Sequence, residues 1–249
     1  MVKKNLIQLL KKARLRNTDT VMIHIDTAFA AQFSNIKPEN KINYLIKILT
    51  EYFKKGTIII PTFSYSFTKK ETFDPTNTKS EVGIFSEIFR KKKNVFRTNH
   101  PNFSFAIKGN QSENYLKCKI DDAFGKGTVF DLFKKRDGKI ICLGCDFNRI
   151  TFVHHVEQLF GIKYRYLKNF YGKILLKKKI KYINSKYFVR KIKIVRGTDL
   201  KLLKNKTSAN KCLFEAEFGR LPFYCIKAKE FYNNSIQLLK KNKYSLIKK

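Results

Sequence analysis

The chain has 249 residues, 43% hydrophobic and 29% charged, a globular composition that excludes wholesale disorder and allows one large domain or two small ones. Lys and Arg number 53 against 19 for Asp and Glu, a net charge of +34 that excludes an acidic solvating protein and favours an anionic partner. The longest apolar runs, such as Ile58-Ile59-Ile60, fall far short of the roughly 20 residues of a membrane-spanning helix, and the N-terminus carries lysines where a secretion signal needs an apolar core. A cytoplasmic protein without membrane insertion is expected.

In chain order, Leu6, Leu9 and Leu10 sit at helical spacing between lysines, predicting a helix over 3–13. Val21 to Ile25 is a short apolar run and predicts a buried strand. A helix over 38–55 is framed by Pro38 near its start and Gly56 past its end. Thr57 to Ile60 predicts a second buried strand stopped by Pro61, and helices follow at 83–92 and 128–135 before a strand at 139–143. Strands alternating with helices predict a three-layer α/β/α sandwich with a largely parallel central sheet. Near residue 162 the pattern changes. Mixed aliphatic, aromatic and basic residues from Lys173 to Val195 predict an antiparallel hairpin turning at Asn184-Ser185. A helix returns over 227–240. One domain over 1–249 is the simplest organisation: a core over 1–165, a hairpin insert over 166–215, and a C-terminal helical segment over 216–249.

Two features have bland readings that outweigh the sharp ones. Between Lys163 and Lys206 lie 16 Lys or Arg and the single acid Asp199, interleaved with tyrosines and phenylalanines. A nucleic-acid surface has this composition. Lysines are nonetheless spread over every predicted helix, and Lys far outnumbers the forked Arg that phosphate and base readers use, so no specific nucleic-acid partner is expected. The five cysteines form no framework. Cys142 of the C-x-x-C at 142–145 sits in an apolar strand run, and no second pair completes a zinc site, so reduced structural thiols are the better reading.

Four segments carry more than packing. His24-Ile25-Asp26-Thr27-Ala28-Phe29 and Pro61-Thr62-Phe63-Ser64-Tyr65 follow the carboxyl ends of two strands, where open α/β sheets bind ligands. A third runs from Asp74-Pro75 through Ser80, Gly83, Glu87 and Arg90 to Arg97, His100, Pro101 and Ser104; Glu87 and Arg90, three apart, also read as a local ion pair. The fourth is Thr151-Phe152-Val153-His154-His155-Val156-Glu157. His154 and Glu157 share a helix face, and a carboxylate on one imidazole nitrogen frees the other to accept a proton. A metal site on His154, His155 and Glu157 ranks below this, because adjacent histidines point to different faces. Read alone, the His–Glu pair is better explained as a satisfied structural contact.

Taken in order, these segments resemble the aminoglycoside 3-N-acetyltransferase family. Gly56-Thr57 to Ser64, then Ser80, Gly83, Glu87 and Arg90, then Arg97, His100, Pro101, Ser104 and Gly109, then Thr151, His154 and Glu157 match its motifs over about residues 1–165. Phe218-Gly219 is a weaker echo. The first loop departs: His-Ile-Asp-Thr stands where the family has a His-Ser-Ser-Leu-like loop. The resemblance implies an α/β fold distinct from GNAT acetyltransferases and direct acetyl transfer from acetyl-CoA, as co-substrate and without a metal, to an amine of an amino sugar. It makes His154 the general base and Glu157 its orienting carboxylate. It sets His24, Asp26, Thr27, Ala28, Phe29, Thr62 and Ser64 on the CoA side, and Asp74, Glu87, Arg90, His100 and Thr151 near the acceptor. The +34 charge opposes steering of a polycationic aminoglycoside and favours a nucleotide-linked amino sugar as acceptor, with an aminoglycoside as the alternative. A homodimer is compatible with this reading.

Overall fold

The computed structural model describes residues 2–248. The first part of the chain forms α1 (Val2–Lys12), β1 (Thr20–Ile25), α2 (Ala28–Ala31), α3 (Lys41–Tyr52), β2 (Thr57–Pro61), α4 (Ile84–Arg90), β3 (Phe96–Arg97), β4 (Phe105–Gly109), α5 (Ser112–Leu116), α6 (Val129–Lys135), β5 (Lys139–Leu143) and α7 (Val153–Phe160). The rest adds β6 (Arg165–Leu176), β7 (Lys179–Arg190), β8 (Gly197–Thr198), α8 (Lys201–Ala209), β9 (Leu213–Phe218), β10 (Leu221–Lys227), α9 (Ala228–Lys241) and β11 (Ile247–Lys248).

Seven strands make one sheet in the order β3-β4-β2-β1-β5-β10-β9. The apolar runs of β1, β2 and β5 are continuous because both faces are covered. Val21, Ile23, Ile58, Ile60, Ile141 and Leu143 pack with α1, α3 and α4, while Met22, Ile59, Ile140 and Cys142 pack on the other side with α6, α7 and α9. The α/β sandwich is therefore present. Parallel pairing is confined to its centre, where β1 lies between β2 and β5. Both flanks are antiparallel: β4 on β2, and β10 on β5 with β9 outside it. For β9 and β10 the connection forces this, since a parallel neighbour needs a crossover of a dozen or more residues and only Gly219-Arg220 separate them. The stretch expected as a helical tail thus supplies β10 and half of β9, and α8 falls inside the expected insert.

The hairpin exists, but it is longer and turns elsewhere. β6 and β7 pair over twelve residues each, from Arg165↔Arg190 to Leu176↔Lys179. Asn184 and Ser185 lie mid-strand opposite Tyr171 and Phe170. The turn is Lys177-Lys178, both left-handed at φ +48° and +64°. Two successive positive φ values suit the twist of a two-residue hairpin, but Asn-Gly usually supplies them, so two lysines gave no turn signal. The hairpin lies outside the main sheet. It is tied to the body by bridges Phe73↔Ile174 and Asp122↔Lys186 and by the hydroxyl of Ser185, which meets His100 Nε2 at 3.1 Å and donates to the Ile120 carbonyl at 3.0 Å.

Candidate active site

The carboxyl ends of the three parallel strands open into a cleft of about 960 Å³. Its floor is Ile23 to Thr27 after β1, Pro61, Phe63 and Tyr65 after β2, and Cys145, Arg149 and Thr151 after β5. One wall is the loop Glu81-Val82-Gly83 before α4; the opposite wall is the hairpin, through Arg165 and Tyr187 to Arg190.

His154 enters this cleft from the first turn of α7. Its Nδ1 lies 2.8 Å from Glu157 Oε2, one helical step away. Glu157 is fully buried, and its hydrogen bonds and the neighbouring Arg165 charge hold it below the usual carboxylate range despite that burial. An ionised carboxylate only accepts, so His154 Nδ1 carries the hydrogen and Nε2 presents its lone pair. Burial and the Arg165 guanidinium push the imidazole below its ordinary value, while Glu157 pulls the other way. The ring is therefore neutral at pH 7 and available as a base.

Glu157 has two further partners. Tyr164 Oη donates to Oε1 at 2.8 Å, and Arg165 Nε lies 2.8 Å from Oε2. Gly161 makes this closure possible. It caps α7 at φ +74°, a conformation that favours glycine, and reverses the chain so that residues just past the helix return to it. The adjacent His155 turns the other way. Its Nδ1–H donates to the Phe124 carbonyl at 2.6 Å among Phe130, Phe152 and Tyr232, so it shares no site with His154.

A family model described as aminoglycoside 3-N-acetyltransferase matches residues 29–240, most of the chain. The chain belongs to that family. Among its relatives, the SPbeta prophage-derived aminoglycoside N(3')-acetyltransferase-like protein YokD of Bacillus subtilis is 26% identical over 62% of this chain and 64% of its own. Aminoglycoside N(3)-acetyltransferase IV of Salmonella is 29% identical over 44% of this chain and 42% of its own. These alignments span less than two thirds of either relative's length. The fold is similar to that of AAC-IIIb, solved as a binary complex with CoASH, with TM-score 0.82 and 17% identity over 97% of both chains.

The other motif residues of this family member separate into two groups. His24, Asp26, Thr27 and Thr151 line the cleft with His154. His24 is nearly buried, its Nε2 has no hydrogen-bond partner among the described residues, and burial lowers its pKa to about 4. Thr151 Oγ1 is likewise buried and unpartnered.

The remaining residues lie elsewhere than the resemblance implies. Phe29 is core, stacked on Phe218 at 5.0 Å, and Ala28 does not line the cleft, because the chain turns into α2 immediately after Thr27. Thr62 and Ser64 face away. The alternation of extended chain continues past β2, so Pro61, Phe63 and Tyr65 face the cleft and their neighbours do not. Thr62 Oγ1 meets Ser104 Oγ at 3.4 Å, and Ser64 Oγ donates to the Pro101 carbonyl at 2.8 Å. Thr62→Val is therefore expected to leave KM for acetyl-CoA unchanged; a raised KM would return Thr62 to the cofactor side.

On the expected acceptor side, Asp74 closes its own turn by accepting from the Thr76 and Asn77 amides. Glu87 takes Arg90 in a two-pronged pair at 2.6 and 2.8 Å, and Arg90 Nη1 donates to the Thr76 carbonyl. That ion pair holds the 74–80 loop rather than lining the cleft. His100 Nδ1 accepts from the Asn102 and Phe103 amides, so its Nε2–H faces Ser185 and anchors the hairpin. Arg97 joins this scaffold, with Nη2 on the Thr62 carbonyl at 2.5 Å and Nε on Ser104 Oγ at 2.9 Å.

Sequence reasoning missed Tyr65, Glu81, Arg149, Tyr164, Arg165, Tyr187 and Arg190. The only sequence signal for Tyr164 and Arg165 was Gly161 just beyond the helix, which announces a reversal without naming what it returns to. The hairpin residues carry no motif, and only the register of β7 brings them to the cleft.

Proposed function

We propose that the chain is an acetyl-CoA-dependent N-acetyltransferase acting by direct transfer on an amine of an aminoglycoside, in the cytoplasm, where acetyl-CoA is made. The observation that carries this reading is the His154–Glu157 pair, with its free Nε2 directed into a cleft at the parallel strand ends. Family membership and the names of the relatives supply the acceptor class. The residues suit CoA: Arg149 and Arg190 put positive charge on the cleft for phosphates, and the unpartnered Thr151 Oγ1 and His24 Nε2 need hydrogen-bond partners in a buried position.

Acetyl-CoA supplies the thioester carbonyl. His154 Nε2 takes the proton the amine loses as it attacks, and Glu157 stabilises the imidazolium. Thr151 Oγ1–H is the candidate donor to the carbonyl oxygen as it gains negative charge. The imidazolium returns its proton to the departing thiolate. Asp26 and Glu81 are carboxylates on the cleft for the acceptor's other ammonium groups. No helix among the described residues is long and apolar enough to cross a membrane, which accords with soluble substrates.

A nucleotide-linked amino sugar is the second reading, favoured by the +34 charge and by the three arginines on the cleft. Thiol release from acetyl-CoA against a panel of aminoglycosides and nucleotide-linked amino sugars separates them. Turnover with aminoglycosides is the expected result. Turnover only with nucleotide sugars would install the second reading, and silence across the panel would reject both.

A further inference from the structure

We infer that Arg165, the first residue of the hairpin, is a positioning residue that sets the protonation state of His154 through Glu157. The inference rests on the reading of His154 as the base. Its geometry is specific. Glu157 Oε2 is hydrogen-bonded to His154 Nδ1 at 2.8 Å and ion-paired with Arg165 Nε at the same distance but without hydrogen-bond alignment, and Tyr164 Oη occupies Oε1. The Arg165 side chain is only 8% exposed, and its Nη1 donates to the Phe188 carbonyl of β7 at 3.3 Å. The guanidinium is thus fixed on one side by the carboxylate and on the other by the hairpin backbone.

A buried carboxylate paired only with a histidine would raise that imidazole's basicity, hold a proton on it near neutrality and leave no base. Arg165 supplies the compensating charge. With His154 neutral the trio carries no net charge, and a second positive charge on His154 is opposed by the first. The other charged or titratable groups on the cleft are His24 and Asp26 after β1, Tyr65 after β2, Glu81 before α4, Cys145 and Arg149 after β5, and Tyr187 and Arg190 on β7. From the side of the cleft away from Glu157, the Phe124 ring packs edge-on against His154 with ring centroids 5.3 Å apart. Glu157 and Arg165 are the charges that act on His154 most strongly, in opposite directions. Burial lowers the imidazole most, and the hairpin carries, at its root, the charge that adds to burial against the pull of Glu157.

Imidazole NMR titration tests this without relying on turnover. The chain has four histidines, and burial holds His24, His100 and His155 at about 4, 3 and 4, so the remaining resonance, absent in His154→Ala, reports His154. In Arg165→Met the His154 pKa should rise by about one unit, and the acid limb of kcat/KM should move to higher pH with it. Arg165→Lys, which keeps the charge, should hold both near wild type. An unchanged His154 pKa in a folded Arg165→Met protein would overturn the inference and leave Arg165 a structural cross-link. A shifted pKa with an unmoved kinetic limb would uphold it and remove His154 from the role of base. Arg165→Gln gives the same readout if the methionine variant does not fold.

Discussion

His154→Ala lowers kcat by about 10²- to 10⁴-fold, the range a positioned general base contributes, while CoA binding survives. The loss is confined to chemistry because His154 sits on the wall of the cleft and is not core: its side chain is 19% exposed, and its one hydrogen bond is to Glu157. The vacated Glu157 keeps Tyr164 and Arg165, so no buried charge is left uncompensated. His154→Gln, which can still occupy Glu157 but cannot take a proton, should be as slow as the alanine. Steady-state thiol release gives kcat, and calorimetric titration with CoA gives the binding constant. Wild-type turnover in either variant would end the assignment.

Acid unfolding is the second large expected effect. His24, His100 and His155 are all buried and held neutral, at about 4, 3 and 4 against an ordinary 6.5. Each depressed value means that the unfolded chain binds the proton first. Stability is therefore complete above pH 6.5 and falls as pH drops toward the folded values. At about 1.4 kcal/mol per unit, three such groups remove on the order of 10 kcal/mol, comparable with the whole stability of a typical domain. By pH 5 the loss is about 6 kcal/mol and it keeps growing toward the folded values, so the cooperative fold should be lost between about pH 5 and 4. Burial is the cause in each case, and His100 adds a local obstacle to protonation. Its Nδ1 accepts two backbone amides, and a proton there would face both donors. Far-ultraviolet circular dichroism across pH 7 to 3.5 follows the transition. A cooperative fold persisting at about pH 4 would mean that these imidazoles are not buried as described.

The centre of the fold was readable because doubly covered strands spell continuous apolar runs, as in β1, β2 and β5. Its flank was not. In β9, Glu215 and Glu217 alternate with more covered residues only from Phe214 to Phe218, and in β10 the apolar run Phe223 to Ile226 is preceded by Pro222 and runs straight into α9, so both signals were short and easily absorbed into the helix that follows. The contact between His154 and Glu157 was readable because both lie on one helical turn. Arg165 was not: its link to Glu157 exists only after Gly161 reverses the chain. Thr62 and Ser64 were misplaced for a simpler reason. A motif says which residues are present at a strand end, whereas the pleat decides which of them faces the ligand.

The hairpin is a separate two-stranded sheet hung on the body by a few bridges, yet it forms one wall of the cleft. Such a part can be exchanged between lineages like a cassette, with a new wall fitted to an old base. Its splice point is constrained on one side. A graft beginning at Tyr166 would inherit the host's arginine and a working base, whereas one that replaced Arg165 would import its own tuning of the histidine. Selection for a new acceptor can therefore rewrite the hairpin between its anchors while Ser185, Arg190 and the chain just before Tyr166 stay still.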